Sequence, residues 1–393
     1  MPSAGVANLR RDNAGLVARA VFDEPGVSRS DLVEVTGLSA GAVTKIVSHL
    51  LSQGVVREGA PTTSSVGGRP RVPLRPSDEP YRVIGIHIGL RWLVGALADL
   101  GGTIVHEETV AHGSTKPGPV LDGVAALLDR LERVAGRRHV VAAGLSTAGW
   151  VDSRRQVVVA NPDIGWVDVD LRPLLAQRRY ATHVDSTVRA LASAESRFGT
   201  SRGVDDSVQV FVGNFVGSAA SHRGVIQRGS HQAAGLVDHL PVGAPGPVRC
   251  RCGRSDCFGV LATDLAVAEQ ARRDGLIGES GQIEDLLELW RSGDRGADRL
   301  LRRRAVQVGR AVGLLANLYD PDTVVVSGHV AQEQHLIDLH KGAAERLERA
   351  DIVSRLVHLT ALGEHALTRA PAAVALAAFY QDPLGALGAL GSA

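Results

Sequence analysis

The sequence lacks an excess of charge of either sign: 43 lysines and arginines face 42 aspartates and glutamates, for a net +1. That balance excludes a molecule that attracts nucleic acid through its overall field, so any DNA contact must come from a local patch. It also lacks apolar runs of membrane-spanning length. The longest, 306–318 and 371–380, are short and broken by polar residues. The first thirteen residues show no charged-then-apolar signal pattern and no cleavage-type core. The expectation is a cytoplasmic protein with no membrane partner. Lysine is nearly absent, Lys45, Lys116 and Lys341 being the only ones. Cysteine is equally scarce. Cys250, Cys252 and Cys257 are the only three, and an odd, tightly spaced set in such a chain favours metal ligation over a disulfide framework.

What is present is the composition of an ordinary globular protein, 44% hydrophobic and 22% charged over 393 residues, enough for two or three domains. Three zones follow one another. Residues 1–60 read as helical, with Leu16, Val17, Ala20 and Val21 at helical spacing. Residues 61–80 are rich in Pro, Gly, Ser, Thr and Arg and read as a wing or loop followed by a linker. From Tyr81 strands and helices alternate: strands over 81–89, 92–100 and 103–112, a helix over 119–134 and a strand over 139–149. A second α/β half has a strand in 205–217, helices within 281–320, a strand near 322–330 and a closing helix over 366–380. The order predicts an actin-like, sugar-kinase-type α/β domain.

The first zone has a mechanical reading. Ser28 caps a helix carrying Leu32 and Val35 inward, Gly37 permits a tight turn, and Leu38 plugs the space between helices. Ser39 caps a second helix over 40–53, with Val43, Ile46, Val47, Leu50 and Leu51 on its buried face. Its other face offers Ala40, Gly41, Thr44 and Lys45 near the N-terminus. Small residues there let a helix sit deep in a major groove, where Thr44 and Lys45 reach bases or phosphates. Residues 54–58 begin the strands of a wing, and Arg69 and Arg71, flanked by Gly and Pro, suit a minor groove. Residues 1–77 hold nine Arg or Lys and six Asp or Glu, a local excess of the right sign for phosphate. A helical hairpin for protein contacts is the blander alternative.

His239, Cys250, Cys252 and Cys257 are spaced H-x10-C-x-C-x4-C. Three thiolates and an imidazole satisfy tetrahedral zinc, and four protein ligands leave no open position for catalysis, so a structural zinc in a 239–257 loop is expected. Chelation of that zinc is expected to move whatever the loop touches.

Taken together, these motifs resemble the ROK family, the group of repressors, open reading frames and sugar kinases. The resemblance rests on the 28–58 head followed by Gly67-Gly68-Arg69-Pro70-Arg71, on the glycine–histidine segment 233–242 with the cysteine cluster, and on the strand-and-glycine segment 318–330. It implies a winged helix-turn-helix over 1–77 and, over 78–393, a two-lobed actin-like, sugar-kinase-like (ribonuclease H-like) domain. The family's kinase residues transfer poorly. The phosphate turn Asp-x-Gly-x-Thr reads His87-Ile88-Gly89-Leu90-Arg91, and the catalytic Asn-Asp pair falls on Ser186 and Thr187. A threonine hydroxyl does not replace a carboxylate base. The two glutamates that hold sugar hydroxyls fall on Leu236 and Gly259, and the later Gly-Gly reads Ser327-Gly328.

The resemblance therefore implies a DNA-binding regulator, a repressor by type, whose kinase-like domain is not an enzyme; it takes a sugar or another, less hydroxyl-rich effector, or the regulator is ligand-independent. Asn161, His183, Asp185, Ser186 and Thr187 are the polar residues expected near its cleft. The expected partner is a double-stranded operator, read by two heads of a homodimer or homotetramer at an inverted repeat. The competing readings are a sugar kinase using Asp185 as a displaced base, and a protein-interaction scaffold.

Overall fold

A computed structural model of the protein describes residues 4–61, 71–243, 245–330 and 332–391. The head is built from α1 (Ala4–Asp23), α2 (Arg29–Thr36), α3 (Ala40–Ser52), β1 (Val56–Glu58) and β2 (Leu74–Pro76). Local chemistry sets its joints. Ser28 accepts from the Asp31 N–H while the Asp31 carboxylate accepts from the Ser28 N–H at 2.9 Å, a reciprocal cap. Gly37 ends α2 at φ 68°, a conformation glycine adopts without strain. Ser39 caps α3 by accepting from Ala42 N–H at 3.3 Å. Strands β1 and β2 pair antiparallel with Arg57 opposite Arg75, forming the base of a wing.

Two expected core positions turn outward. Val35 is exposed, and α2 buries Leu32 and half-buries Val33 instead. A face centred between positions 32 and 33 leaves position 35 more than a quarter-turn away. Leu16 is also exposed, while Val17, Ala18 and Val21 carry the contact of α1. On α3, Val43, Val47 and Leu50 are buried as expected, and Ile46 and Leu51 are half-buried.

The body has two lobes. The first runs β3 (Tyr81–Ile88), β4 (Trp92–Ala98), β5 (Ile104–Ala111), α4 (Pro117–Ala135), β6 (His139–Thr147), the small sheet β7 (Trp150–Asp152), β8 (Val157–Asn161) and β9 (Trp166–Asp170), α5 (Arg172–Leu175), β10 (Ala181–Ser186) and α6 (Thr187–Phe198). The second runs β11 (Ser207–Val212), β12 (Val216–His222), β13 (Val225–Ile226), α7 (Phe258–Ala262), α8 (Asp264–Arg273), α9 (Ile283–Arg291), α10 (Arg295–Tyr319), β14 (Thr323–Gly328), α11 (Leu336–Ala344), α12 (Val353–Leu356) and β15 (Val357–Leu359). Helices α13 (Ala366–Gln381) and α14 (Pro383–Gly391) close the chain. The main sheets are ordered β5-β4-β3-β6-β10 and β13-β12-β11-β14-β15. Each is an antiparallel meander continued by two parallel strands, so the lobes repeat one topology.

Helix α13 ties the parts together. It is apolar nearly all round and buried accordingly. It lies flat on the first sheet because Gly144 bears no side chain: a Cβ there would stand 2.0 Å from the Pro371 carbonyl oxygen. On its far end α13 meets the head. Phe22 of α1 stacks on Tyr380 with ring centroids 4.3 Å apart, and Phe198 of α6 meets Phe22 edge-on at 6.0 Å. One hydrophobic cluster thus runs from Val17, Leu32 and Leu50 through Leu376 and Phe379 to Val83 and Val141. The head is not on a free tether. Among the described residues no single helix is long and apolar enough to cross a membrane; α13 and α14 pass only as a pair bent by 94°.

Candidate functional site

The exposed face of α3 is small and polar. Ser39, Ala40, Gly41, Thr44 and Lys45 are all exposed, and Thr44 donates to the Ala40 carbonyl at 2.8 Å, which tucks its hydroxyl along the helix. Lys45 has no ion-pair partner among the described residues. Arg71 lies at the start of the returning wing strand and pairs with Asp31 at 3.3 Å, beside the N-terminus of α2. Arg69 falls outside the described residues.

The four expected metal ligands come together. One donor atom from each of His239, Cys250, Cys252 and Cys257 lies within 4.8 Å of every other. His239 Nδ1 is 3.2 Å from Cys250 Sγ, and the Cys252 and Cys257 sulfurs are 3.4 Å apart. Tetrahedral zinc with Zn–S bonds of about 2.3 Å has ligand edges of about 3.8 Å, so the donor set and its spacing fit such an ion. Burial pushes the Cys257 thiol up to about 12, a penalty a bound cation would relieve. The loop is held by a bridge between Pro241 and Cys257, and Cys257 is the N-cap residue of α7.

The same loop walls a cleft between the lobes. A cavity of about 230 Å³ is lined by Trp150, Asp163, Ser186, Thr187, Asp238, His239 and Arg251, among others. Ser186 and Thr187 sit where β10 passes into α6, with Ser186 capping the helix. Thr187 is fully buried, 3.4 Å from His87 Nδ1, and His87 is in turn 3.1 Å from Ser146 Oγ. Burial lowers the His87 imidazole to about 4, so it is neutral at pH 7. Asn161 is buried beside the cleft, where it lines a smaller adjoining cavity with His87 and Asp163 and donates to Thr147 Oγ1 at 3.2 Å.

Asp185 does not face this cleft. Alternation along β10 sends His183 and Asp185 to the opposite side, into a second chamber. There the Asp185 carboxylate accepts from Arg189 Nε at 2.6 Å, Arg228 Nη1 at 2.5 Å, Ser153 Oγ at 3.1 Å and the Ser186 N–H at 2.8 Å. The carboxylate is thus held by two guanidinium groups, a hydroxyl and a backbone N–H, pointing away from the interlobe cleft.

Two carboxylates missed in the sequence do line the cleft. Asp163 and Asp238, far apart in the chain, meet across it. Burial first, then the charge of Asp238, raise the Asp163 carboxyl from 3.8 to about 6. With the folded value above the unfolded one, the associated stability is complete below about pH 4 and is lost as pH rises through about 6. Asp163→Asn is therefore expected to stabilise the protein by on the order of 2 kcal/mol at pH 8 and by little at pH 4. Urea denaturation at the two pH values measures this, and equal effects at both would contradict it.

Comparison with known proteins adds to this geometry. A model of the ROK family matches residues 83–377. The chain is 31% identical to the transcriptional regulator Rv0485 of Mycobacterium tuberculosis, over 97% of this chain and 88% of that one. It is 24% identical to the DNA-binding transcriptional dual regulator NagC of Escherichia coli, over 92% of this chain and 93% of that one. Among solved structures, a ROK family transcriptional regulator described as a homologue of the Escherichia coli MLC protein aligns with a TM-score of 0.81, at 22% identity, over 98% of this chain and 100% of that one. Because the family match spans both lobes and the first relative is matched through the head as well, the protein belongs to the ROK family.

Proposed function

We propose that the protein is a DNA-binding transcriptional regulator, a repressor by type, whose body is a receptor and not a kinase. The observation that carries this reading is the exposed, small-residue face of α3 on a head that shares a hydrophobic cluster with the body. Residues 1–77 act as the winged helix-turn-helix, with Ser39, Ala40, Gly41, Thr44 and Lys45 entering the major groove and Arg69 and Arg71 reaching the backbone or minor groove. Two copies place two heads on an inverted repeat of double-stranded DNA. The names of the regulators it resembles support this assignment.

The interlobe cleft takes a small hydroxylated effector. Asp163 and Asp238 supply acceptors, and α6 links the cleft, through Thr187, to the head, through Phe198 and Phe22. Phosphoryl transfer to a sugar hydroxyl needs a positioned base and a phosphate turn. At the corresponding places stand the Thr187 hydroxyl and a neutral His87, and Asp185 is engaged by two guanidinium groups on the far side of its strand. The purified protein is expected to consume no ATP above background with hexoses or amino sugars; sugar-dependent ADP release would overturn the receptor reading.

Zinc is the metal this donor set suits, held by His239, Cys250, Cys252 and Cys257 as a structural ion. It supplies no reaction, but fixes the loop that positions His239 and Arg251 in the cleft wall. Elemental analysis is expected to give one zinc per chain. Cys252→Ser is expected to lose the metal and lower the melting temperature by several degrees. Metal-free protein with an unchanged melting temperature would contradict this.

A further inference from the structure

The chamber that receives His183 and Asp185 has a composition of its own. Its volume is about 290 Å³, and it lies between α1 of the head, α6, the β13 hairpin and α13. Four arginines line it, Arg19, Arg189, Arg197 and Arg228, against one carboxylate, Asp185. Arg189 is fully committed to Asp185 and to the Gln232 and Val151 carbonyls. The other three are not. Arg228 spends only Nη1, on Ser153 and Asp185. Arg197 donates from Nη1 to Ser193, while its buried Nε has no hydrogen-bond partner. Arg19 makes a long contact to Asp23 at 3.4 Å, and the same Asp23 is 3.9 Å from Arg197. With both aspartates counted, two positive charges remain uncompensated, and burial keeps His183 neutral by lowering its pKa. Arg197 is the buried one of the three, and a buried guanidinium with an open donor is costly unless an anion meets it, while Arg19 and Arg228 present partly exposed charges beside it.

We propose that this chamber is a second ligand site, which binds a small phosphorylated metabolite between Arg19 of the head and Arg197 and Arg228 of the body. Its volume is at the small end for ligand pockets, so it suits a short organic phosphate and not a nucleotide. The hydroxyls of Ser193 and Ser196 stand on the same wall. The site lies on the other side of strand β10 from the interlobe cleft, with Arg189 as the residue common to both linings. Because one of its arginines belongs to α1 and the others to the body, an occupant fastens the head to the body. It thereby favours the arrangement of head on body described above, and so one spacing of the two heads. That consequence rests on the regulator reading, whereas anion binding does not, so failure of either can be told apart.

Calorimetric titration of the full chain with glycerol 3-phosphate, at low ionic strength, tests the site. Saturable binding with one site per chain is expected, with none for glycerol. Arg19→Ala and Arg228→Gln are each expected to weaken it about ten-fold; Arg19→Ala leaves the melting temperature of the free protein unchanged, whereas Arg228→Gln lowers it by taking a charge partner from buried Asp185. Trp150→Ala, in the other cleft, is expected to leave it intact. The proposal is overturned if neither glycerol 3-phosphate nor pyrophosphate binds. Binding indifferent to both arginine variants, or abolished by Trp150→Ala, also overturns it. Equal affinity for inorganic phosphate would reduce the site to an adventitious anion contact and overturn the metabolite assignment.

Discussion

Lys45→Glu is expected to weaken operator binding about a hundred-fold or more while leaving the fold intact. The residue is exposed on the second turn of α3, one position after Thr44, and no carboxylate engages it among the described residues. Its loss therefore breaks no internal contact. A single groove contact is worth about 1–3 kcal/mol, and a two-headed complex loses it twice. Reversing the charge adds repulsion from phosphate. Fluorescence anisotropy with a bound DNA fragment measures the effect, and the dependence of affinity on salt is expected to become shallower by about two in log–log slope. Unchanged affinity would remove α3 from the interface, since no folding defect is available to explain it away.

Phe22→Ala is expected to cost about 3–5 kcal/mol of stability, more than any other change argued above. Its ring is 4% exposed, stacks on Tyr380, meets Phe198 edge-on and lies under the Arg197 guanidinium at 5.4 Å. Removing it empties the junction where α1, α6 and α13 converge. The effect reaches function as well as stability. If α6 carries the state of the cleft to the head, the variant at low temperature still binds DNA but responds less to ligand. A midpoint shift in urea corresponding to under about 1 kcal/mol would show that the junction is loosely packed, contrary to the account.

These expectations differ in how far they were legible beforehand. The caps of the head could be read because they are local: Ser28, Gly37 and Ser39 each act within three or four residues of themselves. The strands of the first lobe and the metal quartet were legible for a similar reason, as alternation and ligand spacing are written in short stretches. The outward turns of Leu16 and Val35 were not. Which side of α1 is inward depends on where α13 arrives, from more than three hundred positions away, and which side of α2 is inward depends on how it packs against α1 and α3. The small sheet β7–β9 was missed because its strands are three to five residues long, too short for a clear period. The stretch 205–217 read as a single strand, whereas it holds β11 and the start of β12, most of which lies beyond it.

The cleft shows the same divide. Ser186 and Thr187 line it as the family pattern implied, because they sit at a strand-to-helix joint that the motif itself defines. Asp185 goes the other way, and a strict count of alternation along 181–186 would have sent it there with His183. Asp163 and Asp238 carried no local sign, since neither has a partner nearby in sequence and only lobe packing brings them together. Acid groups thus return to the cleft at positions the family pattern does not mark. On the proposed receptor reading they hold hydroxyls, and the places where the family resemblance puts a base and a phosphate turn carry Thr187 and His87.

Sequencing of the genomic fragments retained by the full-length protein tests the central claim most directly. The account predicts enrichment of one inverted-repeat motif by the unmodified chain and its disappearance with Lys45→Glu. Fragments without a shared motif, or the same motif retained by the variant, would contradict it.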